Sequence, residues 1–306
     1  MKILVATEKP FAAVAVNGIK EIIEQAGLEF ALLEKYTDKK QLLEAVADAT
    51  ALIIRSDKVD EEVMATAPQL KIVVRAGAGY DNVDLNAASA RNIVVMNTPG
   101  QNSNAVAELV IGLLLMAVRN NYNGSSGSEL MGKKIGLMAF GAVAQNVARI
   151  AQGLGMNIMG FSPTGHPEKI AKAGFEVAET PEQLFAECDI VSLHIPANAQ
   201  TKESINYALL SKMKKKAILV NSARKEVINE SDLLKVMEER EDLRYYSDLQ
   251  LSCHAEAMEK LGTRYFATPK KMGAQTAEAN INAGLAAARQ IVAFLKEGCT
   301  QFQVNK

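Results

Sequence analysis

The chain has 306 residues, 48% of them hydrophobic, with 34 Lys and Arg against 35 Asp and Glu and a formal net charge of −1. That length fits one large domain or two ordinary ones, and the apolar content allows a sizeable core without staples. Balanced charge without a long basic or acidic block argues against a nucleic-acid or membrane-surface partner, and the scattered Cys188, Cys253 and Cys299 form neither a metal spacing nor a disulfide framework.

The N-terminal MKILVATEKP has no long apolar run, so no signal peptide is expected. Short apolar runs then alternate with helical patterns. Strands are expected at 2–6, 51–55, 71–75 and 93–96. The most apolar stretch, 109–118, is too short to span a bilayer and reads as a buried helix. The segment NNYNGSSGS at 120–128 reads as a flexible connection. Further strands are expected at 134–139, 156–161, 190–194, 217–221 and 243–248, with amphipathic helices at 142–154 and 231–240. Strand, helix, strand repeated in this way predicts an α/β protein built from two separate parallel sheets. A soluble cytoplasmic protein with idle thiols is the expectation.

The segment beginning GKKIGLMAFGAVAQNVARI has the context of a dinucleotide turn, a strand entering a tight turn from which a helix leaves. A pyrophosphate there would sit on the helix N-terminus, against the amides of Gly141, Ala142 and Val143. The G-x-G-x-x-G positions read Ala139-Phe140-Gly141-Ala142-Val143-Ala144, with alanine at the first and last glycines. At the end of the next strand Ser162 stands where a carboxylate usually holds the ribose. A serine does not repel a 2′-phosphate, so NADP stays open. The lack of a following arginine favours NAD.

Several blocks occur in an order and spacing that resemble the D-isomer-specific 2-hydroxyacid dehydrogenases. They are LIIRSDKVDEEV, KIVVRAGAGYDNVDLNAASARNIVVMNTPGQNSNAVAEL, DIVSLHIPANAQTKESIN, SKMKKKAILVNSARKEVINESDLL and GAQTAEAN. The resemblance covers nearly the whole chain, in a short form without a C-terminal regulatory domain. It implies two Rossmann-like domains. A discontinuous substrate domain would take 1–100 plus 281–306, and an inserted dinucleotide domain 101–280.

The resemblance also implies residue roles. Arg224 matches the catalytic arginine, whose planar fork suits a carboxylate and a carbonyl oxygen. Gly77 and Ala78 look like a backbone cradle for the carboxylate. Arg55 and Arg75 are candidates for a distal phosphate, with Arg55 the better match, and Ser56 and Asn102 line the substrate side. Asp248 matches an acid near the nicotinamide, Ala223 lies beside the ring, and His194 and Pro196 flank the adenosine. The implied substrate is a small 2-hydroxy acid carrying a phosphate, D-3-phosphoglycerate first. Alternatives are a glyoxylate or hydroxypyruvate reductase and a catalytically silent binding protein. A homodimer is implied as well.

The sequence departs from the family pattern at the proton. Histidine usually follows Thr-Pro, oriented by a glutamate, whereas here the triplet is Thr268-Pro269-Lys270. Lys270 is therefore the candidate acid–base residue. An exposed lysine has a pKa of about 10.4, and burial with the charge of Arg224 nearby would lower it. The other reading is that Lys270 only binds the substrate anion. The orienting glutamate would fall near Cys253, with His254 or Glu256 as possible substitutes. The loop at 120–128 is shorter than the family's, and the chain has no tryptophan.

Overall fold

The computed structural model describes residues 1–305. The chain divides into two compact units, Met1–Asn102 with Gln275–Lys306, and Ser103–Ala274. These boundaries differ from the expected 100/101 and 280/281. The second moves because Ala277–Glu297 is one continuous helix, capped by the Thr276 side chain at its start and by left-handed Gly298 at its end. A boundary at 280 would cut its first turn.

The first unit holds a five-stranded parallel sheet. In chain order its strands are β1 Lys2–Thr7, β2 Glu29–Glu34, β3 Ala51–Ile54, β4 Ile72–Arg75 and β5 Val94–Asn97. Their spatial order is β2-β1-β3-β4-β5. Strand β3 is buried throughout, which requires cover on both faces and accounts for its unbroken apolar run. On one face Ile3, Val5, Ile53 and Val74 pack with Ile19 and Ile23 of the helix Ala13–Gln25 and with Ala287 and Ile291 of the last helix.

The second unit holds a seven-stranded parallel sheet. Its strands are β6 Lys134–Met138, β7 Asn157–Phe161, β8 Glu176–Val177, β9 Ile190–Leu193, β10 Ile218–Asn221, β11 Arg244–Ser247 and β12 Tyr265–Ala267. The order is β12-β11-β10-β9-β6-β7-β8, so the chain reverses its direction of growth between β6 and β9. In an open α/β sheet such a switch point opens a crevice at the carboxyl ends of the strands. The apolar helix extends over Ser103–Val118, longer than the expected 109–118, and buries Val110, Leu113 and Leu114 against this sheet. Its mostly apolar circumference follows from that burial.

The nine strands read from the sequence are present within a residue or two. The three it missed, β2, β8 and β12, are all sheet edges. The connection at 120–128 also differs from expectation. It begins with a 3-10 turn, Asn120–Tyr122, whose side chains are tied to the sheet: Asn120 accepts from Arg244 at 2.7 Å, and Asn121 donates to the Thr263 carbonyl at 2.9 Å and accepts from the Tyr246 hydroxyl. Among the described residues, no helix is long and apolar enough to cross a membrane.

Candidate active site

The dinucleotide turn leaves β6 at the switch point. Ala139 takes φ +75°, the left-handed conformation that glycine accepts without cost. Gly141 is the N-cap of the helix Ala142–Gly153, and no side chain caps that helix. A Cβ placed on Gly141 would meet nothing within 4 Å. Ala142 is exposed and Val143 half-buried, while Ala144 is buried where the third glycine of the motif would stand. The first N–H groups of a helix lack intrahelical partners and carry the positive end of its dipole. Uncapped, open and aimed past a residue without a side chain, they fit a pyrophosphate, so the turn suits NAD despite its altered glycines.

The other predicted cofactor residues stand at the same carboxyl edge. Ser162 follows β7, and its hydroxyl accepts from the His166 amide at 3.0 Å, closing its own turn. His194 follows β9, with its amide donating to the Met138 carbonyl at 2.9 Å. Its Nε2 is fully shielded and has no partner, and burial pushes the imidazole down to about 3. His194 is therefore a neutral surface here, not a cation for a phosphate. Pro196 is exposed beyond it.

At the ends of β10 and β11 two buried polar residues shape the turn that carries Arg224. Asn221 accepts from the Ala223 amide at 2.9 Å and donates to the Arg224 carbonyl at 2.9 Å. Ser247 donates to the Asn221 carbonyl at 3.0 Å. Arg224 is exposed, and its Nη1 donates to the Ala223 carbonyl at 2.9 Å. Asp248, fully buried, accepts from the Thr268 hydroxyl at 3.0 Å and from the amides of Met272 and Gly273 at 2.9 and 2.8 Å. This carboxylate thus clamps the loop bearing Lys270. A Cβ on Gly273 would lie 2.8 Å from the carboxylate, so glycine is needed for the close approach.

Lys270 itself is exposed, not buried as expected from the sequence, because it sits on the outer turn of the loop after β12. Its neighbour Lys271, which sequence reasoning passed over, donates through Nζ to the Ala223 carbonyl at 3.2 Å, the same oxygen that Arg224 holds. Neither substitute for the orienting glutamate is free. His254 Nδ1 lies 2.8 Å from the Tyr265 hydroxyl, and Glu256 pairs with Lys260 at 2.9 Å. Cys253 is half-buried, and its thiol is pushed up to about 11 by burial and by Glu230.

In the first unit the predicted substrate residues gather at the carboxyl ends of β3 and β4. Arg55 is held on many sides. Nη1 donates to the carbonyls of Lys9 and Pro10 at 2.9 Å each, and Nη2 to Asn280 Oδ1 at 2.7 Å. The guanidinium also lies 5.1 Å above the Phe11 ring. Arg75 donates through Nε to the Arg55 carbonyl at 2.9 Å. Burial, then the nearby Arg55 charge, pulls the Arg75 pKa down. Gly77 has φ +150°, and a Cβ there would fall 1.6 Å from Nη1 of Arg75. Only glycine lets the guanidinium cross this backbone. Ala78 is exposed beside it, with its carbonyl taken by Asn97 at 2.7 Å. Ser56 is exposed and Asn102 half-buried at the end of this stretch.

Sequence reasoning missed Asp57. Its buried carboxylate accepts from the Glu8 amide at 2.7 Å, the Tyr36 hydroxyl at 2.9 Å and the Arg55 amide at 3.0 Å, fixing the loop that presents Arg55 and Ser56. An acid two residues beyond Arg55, just past the apolar strand, was the available signal.

Residues 113–261 match the NAD binding domain of the D-isomer specific 2-hydroxyacid dehydrogenases. A glyoxylate reductase of Thermococcus litoralis is 35% identical over 244 residues, covering 73% of each chain. The chain belongs to the D-isomer specific 2-hydroxyacid dehydrogenases. A crystal structure of an NAD+-bound 3-phosphoglycerate dehydrogenase of Entamoeba histolytica is 46% identical, with a TM-score of 0.86, and covers 100% of this chain and 99% of that one. A D-3-phosphoglycerate dehydrogenase of Methanocaldococcus jannaschii is 36% identical over 215 residues, which span 66% of this chain but only 41% of that relative. The matched NAD-binding stretch, residues 113–261, lies within the unit Ser103–Ala274, and the uncapped helix behind Gly141 lies inside that stretch.

Proposed function

We propose that this dehydrogenase oxidises D-3-phosphoglycerate to 3-phosphohydroxypyruvate with NAD, the first step of serine biosynthesis. The observation that carries the reading is the pair Arg55 and Arg75. Arg75 is anchored on the backbone carbonyl of Arg55 and is pulled down by burial and by the Arg55 charge, so two neighbouring guanidiniums gain most from a doubly charged anion. A phosphate at the distal end of a 2-hydroxy acid is such an anion.

The roles follow from the residue chemistry. In the second unit Arg224 suits a carboxylate and the C2 oxygen, and in the first the amides at Gly77 and Ala78 suit a carboxylate. Lys270 takes the hydroxyl proton as the C2 hydride leaves. Asn221 and Asp248 hold the two segments from which Arg224 and Lys270 project. When bound, NAD supplies the hydride acceptor, and its pyrophosphate is held by the amides of Gly141, Ala142 and Val143 with Ser162 toward the ribose. His194, Pro196 and Ala223 line the same unit. Dimerisation through the NAD-binding unit and a cytoplasmic location complete the proposal.

The second reading is reduction of glyoxylate or hydroxypyruvate. It is favoured by the glyoxylate reductase relatives and by Ser162, which leaves room for a 2′-phosphate. NADH formation from D-3-phosphoglycerate, with 3-phosphohydroxypyruvate reduction as the reverse assay, separates the two when glyoxylate and hydroxypyruvate are run beside them. Turnover confined to the phosphorylated acid supports the proposal. Turnover confined to glyoxylate or hydroxypyruvate overturns it, and cofactor binding with no turnover moves the reading to a silent binding protein. Lys270→Ala is expected to lower kcat by about a hundredfold or more, the usual share of one acid–base group. A kcat near the parent value would reduce Lys270 to an anion contact.

A further inference from the structure

The second unit carries a cavity of about 700 Å³ at the amino ends of β6, β10 and β11, the edge of the sheet opposite the cofactor turn. Five cations line it: Lys133, Lys215, Lys216, Arg244 and Arg264. Among the described residues, none of these five has a carboxylate within ion-pair distance. Two of the three lining acids are already engaged. Asp189 pairs with Lys214 at 2.5 Å, and Asp242 pairs with Arg240 at 2.9 Å while accepting from the Lys216 amide at 2.6 Å. Asp189 also feels the charge of Lys133, and Glu241 is the one lining acid without an ion pair among the described residues.

The arginines are rooted, not loose. Arg244 donates to the Ala117 carbonyl and to Asn120 Oδ1, and Arg264 to the carbonyls of Met237 and Arg240 at 2.7 and 3.3 Å. One wall is the Gly/Ser/Asn segment that the proposed reaction leaves unused. Asn120 Nδ2 ties it down through Ser125 Oγ and the Ser126 carbonyl at 2.9 Å each. Gly127 presses so close to the end of the apolar helix that a Cβ would lie 2.4 Å from the Val118 carbonyl. Ser126 and Ser128 belong to the lining, and among the described residues no aromatic ring lines it to stack on a base.

From these observations we propose that this cavity is a binding site for a small molecule carrying two or more phosphate groups. Gathering five cations against three acids, two of them paired with cations outside the lining, is unfavourable, and a multiply charged anion offsets it. The volume suits a small organic ligand, more room than one phosphate needs. Strands β10 and β11 run from this cavity to Asn221 and Ser247, so its occupant would touch the elements that hold Arg224. The proposal stands whichever acid the enzyme oxidises.

The test is calorimetric titration of the full chain with inorganic pyrophosphate, with orthophosphate as the single-phosphate comparison and NADH present to fill the cofactor turn. The double variant Lys133→Gln with Lys216→Gln removes two side-chain charges that make no hydrogen bond or ion pair among the described residues, and the matching Lys→Arg pair restores them. Pyrophosphate is expected to bind more tightly than orthophosphate, to weaken by about tenfold or more in the Gln pair and to recover in the Arg pair, with unfolding temperatures alike. No pyrophosphate binding in the parent chain, or equal binding in the Gln pair, overturns the proposal.

Discussion

Ala139 carries a left-handed backbone that an L side chain opposes by roughly 1–2 kcal/mol. Ala139→Gly should therefore raise the free energy of unfolding in urea by about 1 kcal/mol after glycine's own entropy cost. A loss of stability would mean that the strain is absent. His194 gives a pH signature. Its folded imidazole is depressed to about 3, whereas a free imidazole titrates near pH 6.5. Below about pH 6.5 the unfolded chain takes up a proton that the folded chain refuses, so stability must fall as pH drops toward the folded value. In His194→Asn the urea midpoint should decline less between about pH 7 and about pH 4 than in the parent. Parallel declines would show that His194 is not the sensor. The thiols fit the idle reading of the sequence, since burial pushes Cys188 up to about 12.

Among elements, the 268–273 loop shows most clearly how one side chain can set a segment. Asp248 supplies acceptors for two amides and a hydroxyl, and replacing it by asparagine turns an NH2 toward a buried N–H. Asp248→Asn is expected to cost about 1–3 kcal/mol and to speed amide hydrogen exchange at Met272 and Gly273. Unchanged exchange at those amides would remove Asp248 from this role. The missed strands teach a complementary lesson. Strand β2 reads EFALLE and is only half covered, with β1 as its one neighbour. An edge strand need not be apolar on both faces, so its residues carry a weaker pattern than the buried β3. Strands β8 and β12 are edges of two and three residues, too short to show a period.

For the molecule as a whole, the order of chain through the two units decides what can be separated. Ser103–Ala274 is continuous and contains its own sheet and two apolar clusters. Met1–Asn102 needs the returning helix Ala277–Glu297 to cover the face of β1 and β3. A fragment spanning 103–274 should thus melt cooperatively by circular dichroism and still bind NADH by fluorescence. A fragment spanning 1–102 should lack a cooperative melt, because Ile3, Val5 and Ile53 would lose the part of their apolar cover that Ala287 and Ile291 supply. A cooperative 1–102 fragment would refute that dependence.

The sequence by itself determined the α/β class, the nine buried strands and the family. Those rest on local apolar runs and on motif blocks whose spacing is written along the chain. It also placed Arg55, Arg75, Gly77, Arg224 and Lys270 as candidates, since their residue types suit anion binding and proton transfer. Only the tertiary structure decided that Asp57 and Asp248 hold the two loops, that Lys271 shares an oxygen with Arg224, and that five cations ring a cavity at the far edge of the sheet. Each of those depends on residues remote in sequence meeting through the register of parallel strands. No local pattern encodes such a meeting, because hydrogen bonds and uncompensated charges are properties of neighbours in space.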